Sequence, residues 1–243
     1  MMEINKVNNL LELFYNQYQT QDKRSVFLQS LKEVENKYSW EEVYSNIIKL
    51  SEEISKYIKK GDRCLLISEN RPEWLISDLS IMLSGGVTVP AYTTYTERDY
   101  EYIIDDCSPT ILIVSDKTQY LKIKNIISKK EFIKKIIFFD VIEEFNQELH
   151  VNINQIFANK NFNLLNFSEV KIQRKDVACI IYTSGTQGNP KGVILSHGGI
   201  LNNCEGALGL LKEFISKKPK FLTWLPLSHS YEHTVQFVQI VVG

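Results

Sequence analysis

The chain has 243 residues, 44% apolar and 23% charged, with a formal net charge of −1. That length buries a sizeable core in one large domain or two small ones, and the composition is that of an ordinary globular protein. A charge so near zero excludes a global pull toward nucleic acid or anionic membrane. Cys64, Cys107, Cys179 and Cys204 lie far apart without a C-x-x-C pair, which points to reduced thiols in the cytoplasm rather than disulfides or zinc. Residues 1–6 lack the apolar core of a signal peptide, and no apolar run approaches the roughly 18 residues of a membrane span.

In chain order, Leu10, Leu11, Phe14, Tyr15 and Tyr18 place a helix over residues 6–19. Short strands at Val26–Leu28 and near Lys37–Tyr38 form a hairpin around the polar stretch 33–36. Ser39 and Glu42 have the spacing of a capping box. The helix they open carries Val43, Ile47, Leu50, Ile54 and Tyr57 on one face, and Gly61 is the expected stop. A strand–helix rhythm follows: strand 64–68, a helix from Pro72 to about Leu83, and strand 87–89. Next come a helix capped by Thr96, strand 111–114, a helix over 117–128 and strand 136–139. Such alternation predicts an α/β fold, with a mainly parallel sheet flanked by helices on both faces and ligands at the carboxyl ends of its strands. Seven lysines lie between Lys117 and Lys135. They fit a solvated helix face, preferred because the net charge is near zero, or a patch for weak peripheral contact with anionic lipid on the inner face of the membrane. Residues 140–176 read as a loop-rich connection with one short helix.

Asp176–Ile181 is then a strand that delivers the loop Tyr182-Thr183-Ser184-Gly185-Thr186-Gln187-Gly188-Asn189-Pro190-Lys191-Gly192. Glycines let the backbone approach a polyphosphate and present N–H groups, the hydroxyls add donors, and Lys191 adds a point charge. The G-x-x-x-x-G-K-[ST] pattern fails here, because Pro190 stands at the second glycine and Gly192 follows the lysine. The alternative is a surface hairpin in which Pro190 and Gly192 only make turns. After a strand at 193–195, Ser196 caps a helix from His197 to about Ile215. His197 suits a structural role better than a catalytic one. Trp224-Leu225-Pro226-Leu227-Ser228-His229-Ser230-Tyr231-Glu232-His233-Thr234 is the second motif. His229 and His233 have zinc spacing on a helix, but Ser230 stands where H-E-x-x-H needs Glu.

The loop of residues 182–192 resembles the Y-T-S-G-T-T-G-x-P-K-G signature of the adenylate-forming (AMP-binding) superfamily, with Gln187 its one departure. Residues 226–232 resemble that family's P-L-x-H-x-x-E element in the form found in long-chain fatty-acid–CoA ligases. Gly61-Asp62-Arg63, Ser68–Trp74 and Gly85–Pro90 are similar to the same branch, as scaffold rather than catalytic residues. The resemblance implies ATP, Mg2+ and coenzyme A, with a fatty acid activated as acyl-adenylate and passed to the thiol. It places Thr183, Ser184, Gly185, Thr186, Gln187, Gly188 and Lys191 on the ATP phosphates and Thr183 near Mg2+. Catalytic candidates are Lys191, with His229 and Glu232 at the acyl end. It further implies that residues 1–243 are a partial N-terminal AMP-binding domain, ending in an apolar helix without the C-terminal lid domain, and therefore inactive alone. Two other readings stay open: adenylation of a different acid or for a carrier-protein acceptor, and a non-catalytic ATP-binding fragment.

Overall fold

The computed structural model describes residues 3–32, 35–142, 146, 148–162, 167, 170–183, 190–211 and 219–243. Helix α1 spans Leu10–Thr20. It starts later than the periodicity suggested because the Asn9 side chain accepts the Glu12 N–H at 2.8 Å and caps it. Strands β1 (Val26–Gln29) and β2 (Lys37–Ser39) form the expected antiparallel hairpin. Helix α2 (Trp40–Ser55) opens on Ser39 and Glu42, whose side chains each bond the other's backbone N–H. It ends well before Gly61, so the expected stop is corrected. Gly61 adopts φ +88° and donates its N–H to Gly85 at 2.8 Å, as the turn residue leading into the next strand.

The rhythm then runs β3 (Arg63–Ile67), α3 (Pro72–Leu83), β4 (Val87–Ala91), α4 (Glu97–Cys107), β5 (Ile111–Val114), α5 (Lys117–Ile127) and β6 (Lys135–Phe138). Strand β7 (His150–Asn152) and helix α6 (Ile153–Phe157) follow. Sequence periodicity missed β7, since three residues are too few to show alternation. Strands β8 (Val177–Thr183) and β9 (Lys191–Ser196) precede helices α7 (His197–Leu211) and α8 (Ser230–Val242). Ser196 Oγ accepts the Gly199 N–H at 3.1 Å, the cap expected of it. Residues 212–215 of the predicted helix lie outside the described ones.

Seven strands form one sheet in the order β7-β6-β5-β3-β4-β8-β9, and only β9 runs antiparallel to its neighbour. Alternate residues point to opposite faces, as pleating requires. Cys64, Leu66, Ile111 and Ile113 join the core under α1, α2, α3, α7 and α8. Leu65, Ile67, Leu112 and Val114 join the core under α4 and α5. Helix α3 carries the chain from β3 to β4 on one side, and α4 carries it back to β5 on the other side of β3. The winding therefore reverses at β3, the place where open α/β sheets take ligands outside their carboxyl ends.

Several of the lysines in the basic stretch are engaged internally. Lys122 Nζ donates to Thr93 O, Lys134 Nζ to Glu131 O and the buried Lys135 Nζ to Glu148 O, while Lys130 pairs with Asp105. No helix among the described residues is long and apolar enough to cross a membrane.

Candidate active site

The first half of the site is the end of the β8–β9 hairpin. Instead of a short strand at 193–195, β9 begins at Lys191, so Thr183 pairs with Lys191 and Tyr182 with Gly192 across the ladder. Thr183 and Lys191 are both exposed at the carboxyl end of β8. The Lys191 side chain makes no ion pair or hydrogen bond among the described residues. A Cβ at Gly192 would lie 2.9 Å from Ile180 Cγ2 and 3.3 Å from Tyr182 Cζ, so glycine is needed for the tyrosine ring to lie across the partner strand. The Tyr182 hydroxyl donates to Asp106 Oδ2 at 2.5 Å, and Tyr95 donates to the Tyr182 carbonyl at 3.1 Å. Burial and the Asp106 carboxylate push the Tyr182 phenol well above its usual range. The root of the loop is thus tied to α4. Ser184, Gly185, Thr186, Gln187 and Gly188 lie outside the described residues.

The second half is the start of α8. His229 is exposed and caps the helix, its Nδ1 accepting the Tyr231 N–H at 3.2 Å. Glu232 is buried in the first turn without a hydrogen-bond partner among the described residues, and burial raises its pKa. His233 Nε2 lies 2.9 Å from Asp78 Oδ2, with the two side chains 1% and 0% exposed. Burial alone would discharge this imidazole, but the Asp78 carboxylate, with the Cys179 sulfur beside it, outweighs that and holds the ring charged up to a pKa of about 10. The two histidines with zinc spacing therefore serve different partners, one as a helix cap and one in an ion pair. Among the described residues no group of three His, Cys, Asp or Glu side chains is arranged to hold a metal ion.

Helix α3 and the turn before it brace this second half. Asn70 Nδ2 donates to Leu225 O at 2.6 Å, and Asn70 Oδ1 accepts the Leu227 N–H at 2.9 Å, so one amide clamps the segment leading to His229. Arg71 Nε donates to Glu73 at 2.8 Å, while Asn36 and Tyr38 of the hairpin donate to the other Glu73 oxygen at 3.1 Å. Burial opposes ionisation of Glu73, but Arg71 and these donors hold its carboxyl below the usual range. The scaffold role expected of Asn70-Arg71-Pro72 is seen here as direct support of the second motif. Asp78 had not been singled out. Its signal was the one charged residue in the second half of α3, a helix every residue of which is buried. Between the hairpin, the start of α3 and α8 lies a cavity of about 340 Å3, lined by Leu28, Asn70, Leu75, Leu227, Gln236 and Gln239 among others.

His197 is turned away from this arrangement. Its Nδ1 accepts the Leu10 N–H at 3.3 Å, which requires a neutral ring. Burial lowers its pKa to about 4, although Asp78 and Asp176 pull the other way. Its place is structural, joining α7 to the start of α1.

A sequence profile of the family described as AMP-binding enzyme matches residues 14–243. The chain belongs to that family. Long chain acyl-CoA synthetase 4 of Arabidopsis thaliana is 31% identical over 217 residues, which are 84% of this AMP-binding chain and 33% of the relative. Long-chain-fatty-acid--CoA ligase 6 of Homo sapiens is 30% identical over 71% of the chain and 26% of its own length. The chain thus spans about a third of the plant relatives it matches. In fold it is similar to ATP-bound MatB from Rhodopseudomonas palustris, with a TM-score of 0.76 at 21% identity over 96% of this chain and 44% of that one. It is also similar to a luciferase-like enzyme from the mealworm Zophobas morio, with a TM-score of 0.79 at 15% identity over 100% and 54%. The α/β sheet described above is a fold shared with about half of each of these two enzymes.

Proposed function

We propose that this chain is the N-terminal portion of an ATP-dependent acid–thiol ligase that joins a long-chain fatty acid to coenzyme A. The observation that carries the reading is that the second motif packs on the strand that leads into the phosphate loop. His233, next to Glu232, lies against Cys179 of β8, and that strand ends at Thr183 where the phosphate loop begins. The names of the acyl-CoA synthetase relatives supply the substrate class.

In this reading the two substrates are both anions, so the protein must neutralise and position them. Lys191, exposed opposite Thr183 and without a side-chain partner among the described residues, supplies charge to the ATP phosphates. The hydroxyls and N–H groups of residues 183–188 supply donors. Thr183 would stand beside Mg2+, which offsets charge on the phosphate oxygens when bound. One hydroxyl fits that ion, but it is a small part of a donor set, and the remaining ligands belong to other groups. The carboxylate oxygen attacks the α-phosphorus and pyrophosphate leaves. The thiol sulfur of coenzyme A then attacks the acyl carbon and AMP leaves. His229 and Glu232 face the acyl end. The protein works in the cytoplasm together with a further C-terminal portion, and any peripheral membrane contact falls to the lysines between 117 and 135.

Carboxylate-dependent ATP–pyrophosphate exchange tests this. Read through past codon 243, the protein should exchange with a long-chain fatty acid and lose that exchange in Lys191→Ala, while the 243-residue chain alone should show none. Exchange by the isolated chain would refute its incompleteness. Exchange in the longer protein with another acid but no fatty acid would refute the substrate class.

A further inference from the structure

Helix α3 packs wholly inside the protein, yet carries a carboxylate at Asp78. A buried charge persists only when it is paired, and Asp78 Oδ2 meets His233 Nε2 at 2.9 Å. The surroundings of His233 come from three elements. Trp74 of α3 stands edge-on to the ring with centroids 5.2 Å apart, Cys179 of β8 lies beside it, and Phe237 follows one turn later in α8. Asp78 is the carboxylate among these groups, and the Cys179 sulfur beside the ring also favours its charged form. The other titratable side chain near Asp78 is His197 of α7, which is held neutral. The carboxylate therefore has one cation to serve.

The position of that cation matters for the acyl end. His233 is the residue after Glu232, and its backbone N–H donates to the His229 carbonyl at 2.9 Å, closing the first turn of α8. Asn70 fixes the chain just before this turn, and the ion pair fixes the turn itself. Both tethers come from α3 or the turn that opens it. We propose that Asp78 and His233 form a buried charged pair whose work is to position the first turn of α8, so that Glu232 and His229 are held in place before substrate arrives. Neither residue is assigned contact with substrate. Both are positioning residues, and their relevance to catalysis rests on the acyl-end reading above.

The pair can be tested without turnover, so its failure is separable from failure of that reading. In the 15N-histidine-labelled 243-residue chain at pH 8, both ring nitrogens of His233 should carry protons, while His197 is neutral. A neutral His233 at that pH would overturn the proposal even if no variant folds. In the 13C-labelled chain, the Glu232 carboxyl should titrate above exposed glutamates. In Asp78→Asn it should fall toward their value of roughly 4.3, because water reaches a loosened first turn. An Asp78→Asn chain that is folded by its urea transition and keeps the wild-type Glu232 midpoint would also overturn it. Loss of carboxylate-dependent exchange in the longer protein bears on the ligase reading alone.

Discussion

Thr183 and Lys191 stand exposed on the last rung of the β8–β9 ladder, whereas Glu232 and His233 are buried behind an ion pair, an amide clamp and a helix cap. The contrast follows from what each end is proposed to hold. A phosphate gripper needs a cation whose charge is not already spent on the protein, so Lys191 is unpaired among the described residues. An acyl end needs orientation more than charge, so α3 supplies fixed contacts in advance. One end is stable because its root is tied at Tyr182, the other because the whole turn is braced.

The largest effect that would break this contrast is loss of the buried pair. His233→Leu leaves Asp78 charged and alone and should cost about 3–5 kcal/mol in urea unfolding; a cost typical of a surface site would show that the turn is not braced by charge. Glu73→Ala removes the acceptor for Arg71, Asn36 and Tyr38 and should cost about 1.5–3 kcal/mol, read the same way. The two buried histidines should tilt stability in opposite directions with pH, by up to about 1.4 kcal/mol per pH unit each. His197, with its folded pKa lowered to about 4, makes the unfolded chain the stronger proton binder below its ordinary pKa near 6.5, so stability is lost as pH falls through that window. His233, raised to about 10, contributes stability that is complete below roughly 6.5 and is lost as pH rises through 10. His197→Asn should flatten the acid limb of a urea-midpoint profile and His233→Gln the alkaline limb. Lys191→Ala should change unfolding by no more than about 0.5 kcal/mol while weakening MgATP binding about tenfold or more in calorimetry. A large stability loss there would show that Lys191 is structural and erase the contrast.

Local chemistry was readable along the chain. Ser39 with Glu42, Pro72 and Thr96 each start a helix where their spacing puts it, since capping depends on neighbours three residues away. The parallel sheet was legible because buried strands are continuous apolar runs. What stayed hidden depends on partners distant in the chain. Asp78 and His233 are 155 residues apart, as are Asn70 and Leu225, and no window of sequence shows such a meeting. Gly61 was misread because a glycine after a helical pattern can be a stop or a turn, and only its bond to Gly85 distinguishes them. The candidate site divided along the same line: Thr183, Lys191, His229 and Glu232 sit in two contiguous motifs, while Asp106, Asn70 and Asp78, which brace those motifs, lie far away in the chain.

The bond from the Leu10 N–H to His197 spans 187 residues, and the Arg174 guanidinium reaches back to the carbonyls of Ile4 and Val7. Helix α1 therefore cannot complete its docking until residue 197 has been made. At ordinary synthesis speeds of about 5–20 residues per second, that is a wait of roughly 10 to 40 s. Through that interval Phe14 can already pack on Phe27 and Trp40, but the cover that α8 gives to α1 is still missing. An early helix thus completes its packing late, and until then the nascent chain keeps part of an apolar face open to chaperones or to other chains.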